Sequence, residues 1–217
     1  MIVDLDLNGK KVFIFGGGNE ATKKVESMLN QNCKIFVITE KPSDKIINLA
    51  KVKKVQLVIA RIDQNINLNE YGKAILIVAA TNDKKLNRII TQNAKKNRSY
   101  AYCVDDPEVS DFSHPSIIKI SDIIHVAIST QGKSPLMAKV LRKRLEKVLL
   151  KLIDQTDILN VRLQEKMRQL AKTKIPDLDI RKNFLAGLIE NKEIQKYLKN
   201  NLFENALIKA KENLESF

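Results

Sequence analysis

Short apolar runs alternate with polar stretches of helical spacing through the first half of the chain, the pattern of a parallel sheet covered by helices on both faces. Strands are predicted over residues 11–15, 34–38, 55–60, 74–79 and 100–104, and helices over 19–30, 43–52 and 83–97. The region from Thr81 to Asp83 offers caps for the last of these helices. After Asp106-Pro107 come two β-branched runs, 116–120 and 124–130, too close together for a crossover helix and therefore expected to pair antiparallel. From Ser134 onward the spacing is helical. Leu136, Val140, Leu141, Leu145, Val148, Leu149 and Leu152 fall on one stripe, and further helices are expected over 155–172, 179–191, 193–200 and 204–216.

This pattern predicts an α/β fold: a Rossmann-like parallel sheet over 1–112, a β pair plus helix over 113–150 that is a poor independent core and could be completed by packing against its twin, and a helical region over 151–217. The longest apolar run, Ala74 to Ala80, is far short of the roughly 20 residues that cross a bilayer. With no basic-then-apolar leader at the N-terminus, a soluble cytoplasmic protein without a membrane partner is expected. Cys33 and Cys103 are the only cysteines, so they are read as core thiols and no metal site is expected from them.

The string Lys11-Val-Phe-Ile-Phe-Gly16-Gly17-Gly18-Asn19-Glu20-Ala21 contains G-x-G-x-x-A between a strand and a helix. Gly16 allows the tight turn, Gly18 lets backbone approach a pyrophosphate, and Ala21 lets the helix pack closely; the amides around Asn19 and Glu20 then favour phosphate charge. Glu40, 22 residues past Gly18 at the end of the second strand, is placed to bind an adenosine ribose and to repel a 2′-phosphate. That favours NAD over NADP, although the adjacent Lys41 could accommodate the phosphate.

Downstream stand Ala79-Ala80-Thr81-Asn82-Asp83, Asn87, Cys103-Val104-Asp105-Asp106-Pro107, Asp111-Phe112-Ser113-His114-Pro115-Ser116 and Ile128-Ser129-Thr130-Gln131-Gly132-Lys133-Ser134-Pro135. In this order and spacing the first 150 or so residues resemble the precorrin-2 dehydrogenase family, the module also found at the N-terminus of siroheme synthase, and the Ser-Thr-x-Gly-Lys-Ser-Pro string is its most specific element. The resemblance implies NAD-dependent oxidation of precorrin-2 to sirohydrochlorin, a homodimer, and in some members iron insertion as well. It also adds Thr81 and Asn82 to the cofactor side.

By the same resemblance Asp105 is the candidate base, with Asp106 behind it. Alternatively Asp105 starts the turn before Pro107. Ser129, Thr130, Lys133, Ser134 and Arg142 are candidate donors to substrate carboxylates, while Ser134 also suits a helix cap with Pro135 at the first position. The chain departs from the family at Tyr102, where asparagine is common, and at His114, which could bind substrate or metal or be structural.

A formal net charge of +13 then changes the picture. Bases outnumber acids most between Gly132 and Ile175, where the only acids are Glu146, Asp154, Asp157 and Glu165. A tetrapyrrole bearing many carboxylates would answer this excess, as would compositional drift. A third reading, an NAD-sensing module whose basic tail binds nucleic acid, leaves the Asp105 and Ser129 strings without a purpose, and no nucleic-acid partner is expected.

Overall fold

In the computed structural model, which describes residues 2–216, five of the apolar runs form one parallel sheet. The chain runs β1 (Lys11–Phe15), α1 (Asn19–Met28), β2 (Lys34–Thr39), α2 (Asp44–Lys51), β3 (Gln56–Ile59), β4 (Leu76–Ala79), α3 (Lys84–Lys96) and β5 (Tyr100–Cys103). Strand order is β3-β2-β1-β4-β5, so the chain winds outward from β1, then returns to place β4 on the other side of β1. Such a reversal leaves a crevice at the carboxyl ends of β1 and β4, where ligands of doubly wound sheets bind.

Alternation along β1 explains why the sheet needs two helical layers. Val12 and Ile14 join Ala21, Val25, Met28 and Ile46 in a core beneath α1 and α2, while Phe13 and Phe15 join Leu86, Ile90 and Ala94 beneath α3. These four β1 side chains are fully buried, and Lys11 at the start of the strand is exposed. The strand ends differ from expectation by a residue or two, as frayed ends do. One element had no periodic signal: a 3₁₀ turn over Leu68–Tyr71 of which only Leu68 is buried, in the second core.

The chain divides into two compact units between His114 and Pro115. In the second unit β6 (Ser116–Lys119) and β7 (His125–Ile128) pair antiparallel and pack on α4 (Pro135–Leu152). Then follow α5 (Gln155–Lys174), α6 (Leu178–Glu190), α7 (Lys192–Lys199) and α8 (Phe203–Glu215). Asp154 and Asp157 form a capping box on α5, and Asp177 and Asn191 cap α6 and α7, which explains sharp helix starts in a lysine-rich segment.

Leu163, Met167, Leu188, Ile194 and Leu198 lie at the centre of the helical core. Leu163→Ala is expected to cost about 2–5 kcal/mol, seen as a lower urea midpoint for helical circular dichroism. The α4 stripe is different. Leu136 and Leu152 are 71% exposed, and Leu145 and Val148 are exposed as well, so only Ala138 of this helix is buried.

Candidate cofactor and catalytic site

The glycine turn leaves β1 at the sheet reversal. Gly16 has φ +124°, and a Cβ there would lie 2.1 Å from the Ala80 carbonyl oxygen at the end of β4. Gly17, to which the sequence assigned no task, is equally constrained: a Cβ would stand 2.4 Å from the Lys41 carbonyl oxygen and 2.7 Å from Thr39 Oγ1. Its own carbonyl accepts the Ser43 N–H at 2.9 Å. Gly18 is exposed and a Cβ there would meet nothing within 4 Å.

Thus two glycines pack the turn against its neighbours and the third opens it. Gly18 is the N-cap of α1 and provides no side-chain bond to the helix, unlike Ser43 and Asp83, which cap α2 and α3. The first amides of α1, from Asn19 to Ala21, therefore have no side-chain acceptor from the cap and suit an anion. The space over Gly18 is open. Ala21 is fully buried against the sheet, and the Glu20 carboxylate pairs with Lys23 Nζ at 2.6 Å, leaving the backbone of Glu20 as its contribution to an anion. Glu40 and Lys41 are both exposed, immediately past β2.

On the other side of the reversal, Thr81 is held by a buried amide. Thr81 N donates to Asn87 Oδ1 at 2.9 Å, and Thr81 Oγ1 lies 2.7 Å from the same oxygen. Asn82 beside it is exposed.

Beyond β5, Asp105 is exposed, yet its carboxylate accepts Asn87 Nδ2 at 3.3 Å on each oxygen and Cys103 Sγ at 3.0 Å on Oδ1. Burial and the neighbouring Asp105 push the Cys103 thiol up to about 11. The turn-starting task belongs to Asp106, whose Oδ1 accepts Glu108 N at 3.2 Å while its Oδ2 takes Arg88 Nε. Asp105 is left without a structural duty in that turn. The Asn87 link was outside the reach of periodicity, because it joins residues 18 apart on different elements.

Tyr102 and His114, the two departures from the family pattern, stand together. Their rings lie 4.6 Å apart edge to face, Phe112 stacks on Tyr102 at 5.4 Å, and Lys24 Nζ sits 4.4 Å from the Tyr102 ring centre. His114 as a whole residue is exposed, but its ring lies among these groups, and desolvation with the Lys24 charge lowers its titration to about 4. The unfolded chain protonates first, near 6.5. Stability from neutral His114 is therefore present above about 6.5 and lost as pH falls toward 4. His114→Gln is expected to flatten that part of a urea-midpoint profile, with solvent softening the effect. Among the described residues no three His, Cys, Asp or Glu gather into a metal site.

In the second unit the Ser-Thr-x-Gly-Lys-Ser string is a turn. Ser134 caps α4 by accepting Met137 N at 3.2 Å, Thr130 Oγ1 accepts Ser134 N at 3.1 Å, and Ser129 Oγ accepts Gln131 N at 3.0 Å. Lys133 is exposed on it, and Arg142 pairs with Glu146 at 2.9 Å.

A sheet of this order with a glycine turn at its reversal and an uncapped helix behind it defines a Rossmann-like dinucleotide-binding domain. Comparison with known proteins agrees: residues 3–116 match the family described as "Putative NAD(P)-binding", and the chain belongs to that family. Residues 126–147 match the family described as "Sirohaem biosynthesis protein central". The chain is 29% identical over 203 residues to a siroheme synthase of Actinobacillus pleuropneumoniae serotype 3, covering 93% of this chain and 40% of that protein. It is 31% identical over 144 residues to a siroheme synthase of Baumannia cicadellinicola, covering 66% of this chain and 30% of that one. The chain thus spans well under half the length of these relatives. A solved structure titled SirC, precorrin-2 dehydrogenase shares the fold, with a TM-score of 0.69, 20% identity, and coverage of 98% of this chain and 99% of that one.

Proposed function

We propose that this chain oxidises precorrin-2 to sirohydrochlorin with NAD+ as the acceptor. The observation that carries the reading is an exposed carboxylate, Asp105, gripped by two protein donors, one of which also binds the Thr81 turn at the sheet reversal. Bound NAD+ would supply a two-electron acceptor for the hydride leaving the macrocycle. The amides from Asn19 to Ala21 would hold its pyrophosphate, and Glu40 would accept from its ribose hydroxyls. The Asp105 carboxylate takes the proton released as the substrate loses hydride and passes it to water, so that NADH and one proton appear per oxidation.

Lys133 and Arg142, with the hydroxyls of Ser129, Thr130 and Ser134, are proposed to recognise substrate carboxylates, and the net charge of +13 favours such a polyanion. His114 is proposed as a substrate contact through its aromatic surroundings. The chain is read as a cytoplasmic protein, in keeping with two unpaired cysteines. It is read as a homodimer because the exposed α4 stripe needs a cover; light scattering at micromolar concentration should give twice the chain mass, and a monomer there rejects the dimer.

The deciding measurement is NADH absorbance on mixing the protein, NAD+ and precorrin-2. A rise that requires all three is expected. No rise overturns the reading.

A further inference from the structure

Asn87 lies in the first turn of α3 and is fully buried. Its amide can face only one way, because the Thr81 N–H is a donor and sits 2.9 Å from Oδ1, which must therefore be the acceptor. Nδ2 is then fixed toward Thr81 O at 3.0 Å and toward both oxygens of Asp105 at 3.3 Å. Cys103, at the end of β5, donates its thiol to Asp105 Oδ1 at 3.0 Å. Cys103 of β5 and Asn87 of α3 thus converge on one carboxylate, and Asn87 alone links it to Thr81 in the loop after β4.

An exposed carboxylate does not need two protein donors for satisfaction, since water would serve; protein donors add orientation. The Cys103 thiol, with its titration raised to about 11, remains a donor at neutral pH. Resting on the reading of Asp105 as the base, we propose that Asn87 is a positioning residue that ties the Asp105 carboxylate to the Thr81 turn on the cofactor side, with the Cys103 thiol as its second donor.

Asn87→Asp is close in shape but puts a carboxylate where the amide donor stood. Two carboxylates at this separation resist joint ionisation. The acid limb of the kcat–pH profile is expected to move up by about one unit, and kcat at neutral pH to fall about 10- to 100-fold through lost alignment. Asp105→Asn assayed in parallel separates the two readings. If Asp105→Asn is inactive while Asn87→Asp keeps the wild-type kcat and acid limb, the positioning role is overturned and the base stands. If Asp105→Asn turns over fully, the base falls and the positioning role with it.

Two measurements need no turnover. The Asn87 side-chain amide signal in nitrogen-15 NMR of the wild-type protein should move with pH through the carboxylate range and stay still in Asp105→Asn. In a Cys33→Ser background, thiolate ultraviolet absorbance should show Cys103 ionising at lower pH once Asp105 is Asn. A motionless amide signal overturns the link through Asn87, and an unchanged thiol titration overturns Cys103 as the second donor, whatever happens to Asn87→Asp as a folded protein.

Discussion

Replacing Asp105 with asparagine is expected to lower kcat/KM for precorrin-2 oxidation about 100- to 10,000-fold, the usual range for removing a positioned general base. Asparagine keeps the shape and can still accept from the Cys103 thiol, but it cannot take a proton. Because Asp105 is exposed and Asp106 starts the turn before Pro107, stability should change by no more than about 1 kcal/mol. Steady-state NADH formation measures the first quantity and a urea titration the second. A large stability loss accompanying the activity loss would place Asp105 among the structural turn residues instead.

The second large effect separates two glycines that look alike in the sequence. Gly16→Ala meets both a φ of +124° and a carbonyl oxygen 2.1 Å from the new Cβ. Strain at such a φ costs about 1–3 kcal/mol before the clash is added, so a loss of about 3 kcal/mol or more is expected, a large share of the stability of an ordinary domain. Gly18→Val meets open space on extended backbone and should fold as the wild type does. Its branched side chain would occupy the place assigned to the pyrophosphate, so NAD+ affinity should fall at least about tenfold, or about 1.4 kcal/mol. Calorimetric titration of NAD+ and a urea midpoint on each variant measure both. Undiminished affinity in Gly18→Val would move the pyrophosphate elsewhere.

Much of the fold could be read from local patterns, for a physical reason. A strand buried on both faces is apolar throughout, and β1 matched its predicted limits because Lys11 and Gly16 bound it. The helix starts were visible where a capping side chain stood before an apolar period, as at Asp83 and Ser134. The Leu68–Tyr71 turn was not, since one helical turn is too short to show a period. On α4 the period was real, but Val140, Leu141 and Leu149 are only half-buried and Leu136, Leu145, Val148 and Leu152 stay exposed.

The site divides the same way. Gly16, Gly18 and Ala21 are fixed by a local turn and could be assigned tasks from spacing alone. Gly17 is constrained by Lys41 and Thr39, more than twenty residues away, and a glycine flanked by glycines gives no hint of which one packs. Asn87 appeared in the sequence only as part of a resemblance. Its grip on Asp105 needs β4, α3 and β5 in place, and such convergence leaves no periodic trace.

The position of β1 has one more consequence. It pairs along its length with β2 on one side and β4 on the other, and Gly16 N adds a bond to Ile38 O at 2.9 Å. The strand that delivers the glycine turn is thus anchored on both flanks, and its amides should exchange with deuterium only when the whole first unit opens. A ligand arriving at Gly18 finds backbone that is already ordered, so little of its binding free energy goes into fixing the protein. In the proposed NAD+ site the exposed Glu40 and Asn82 would leave adjustment to the ligand to side chains.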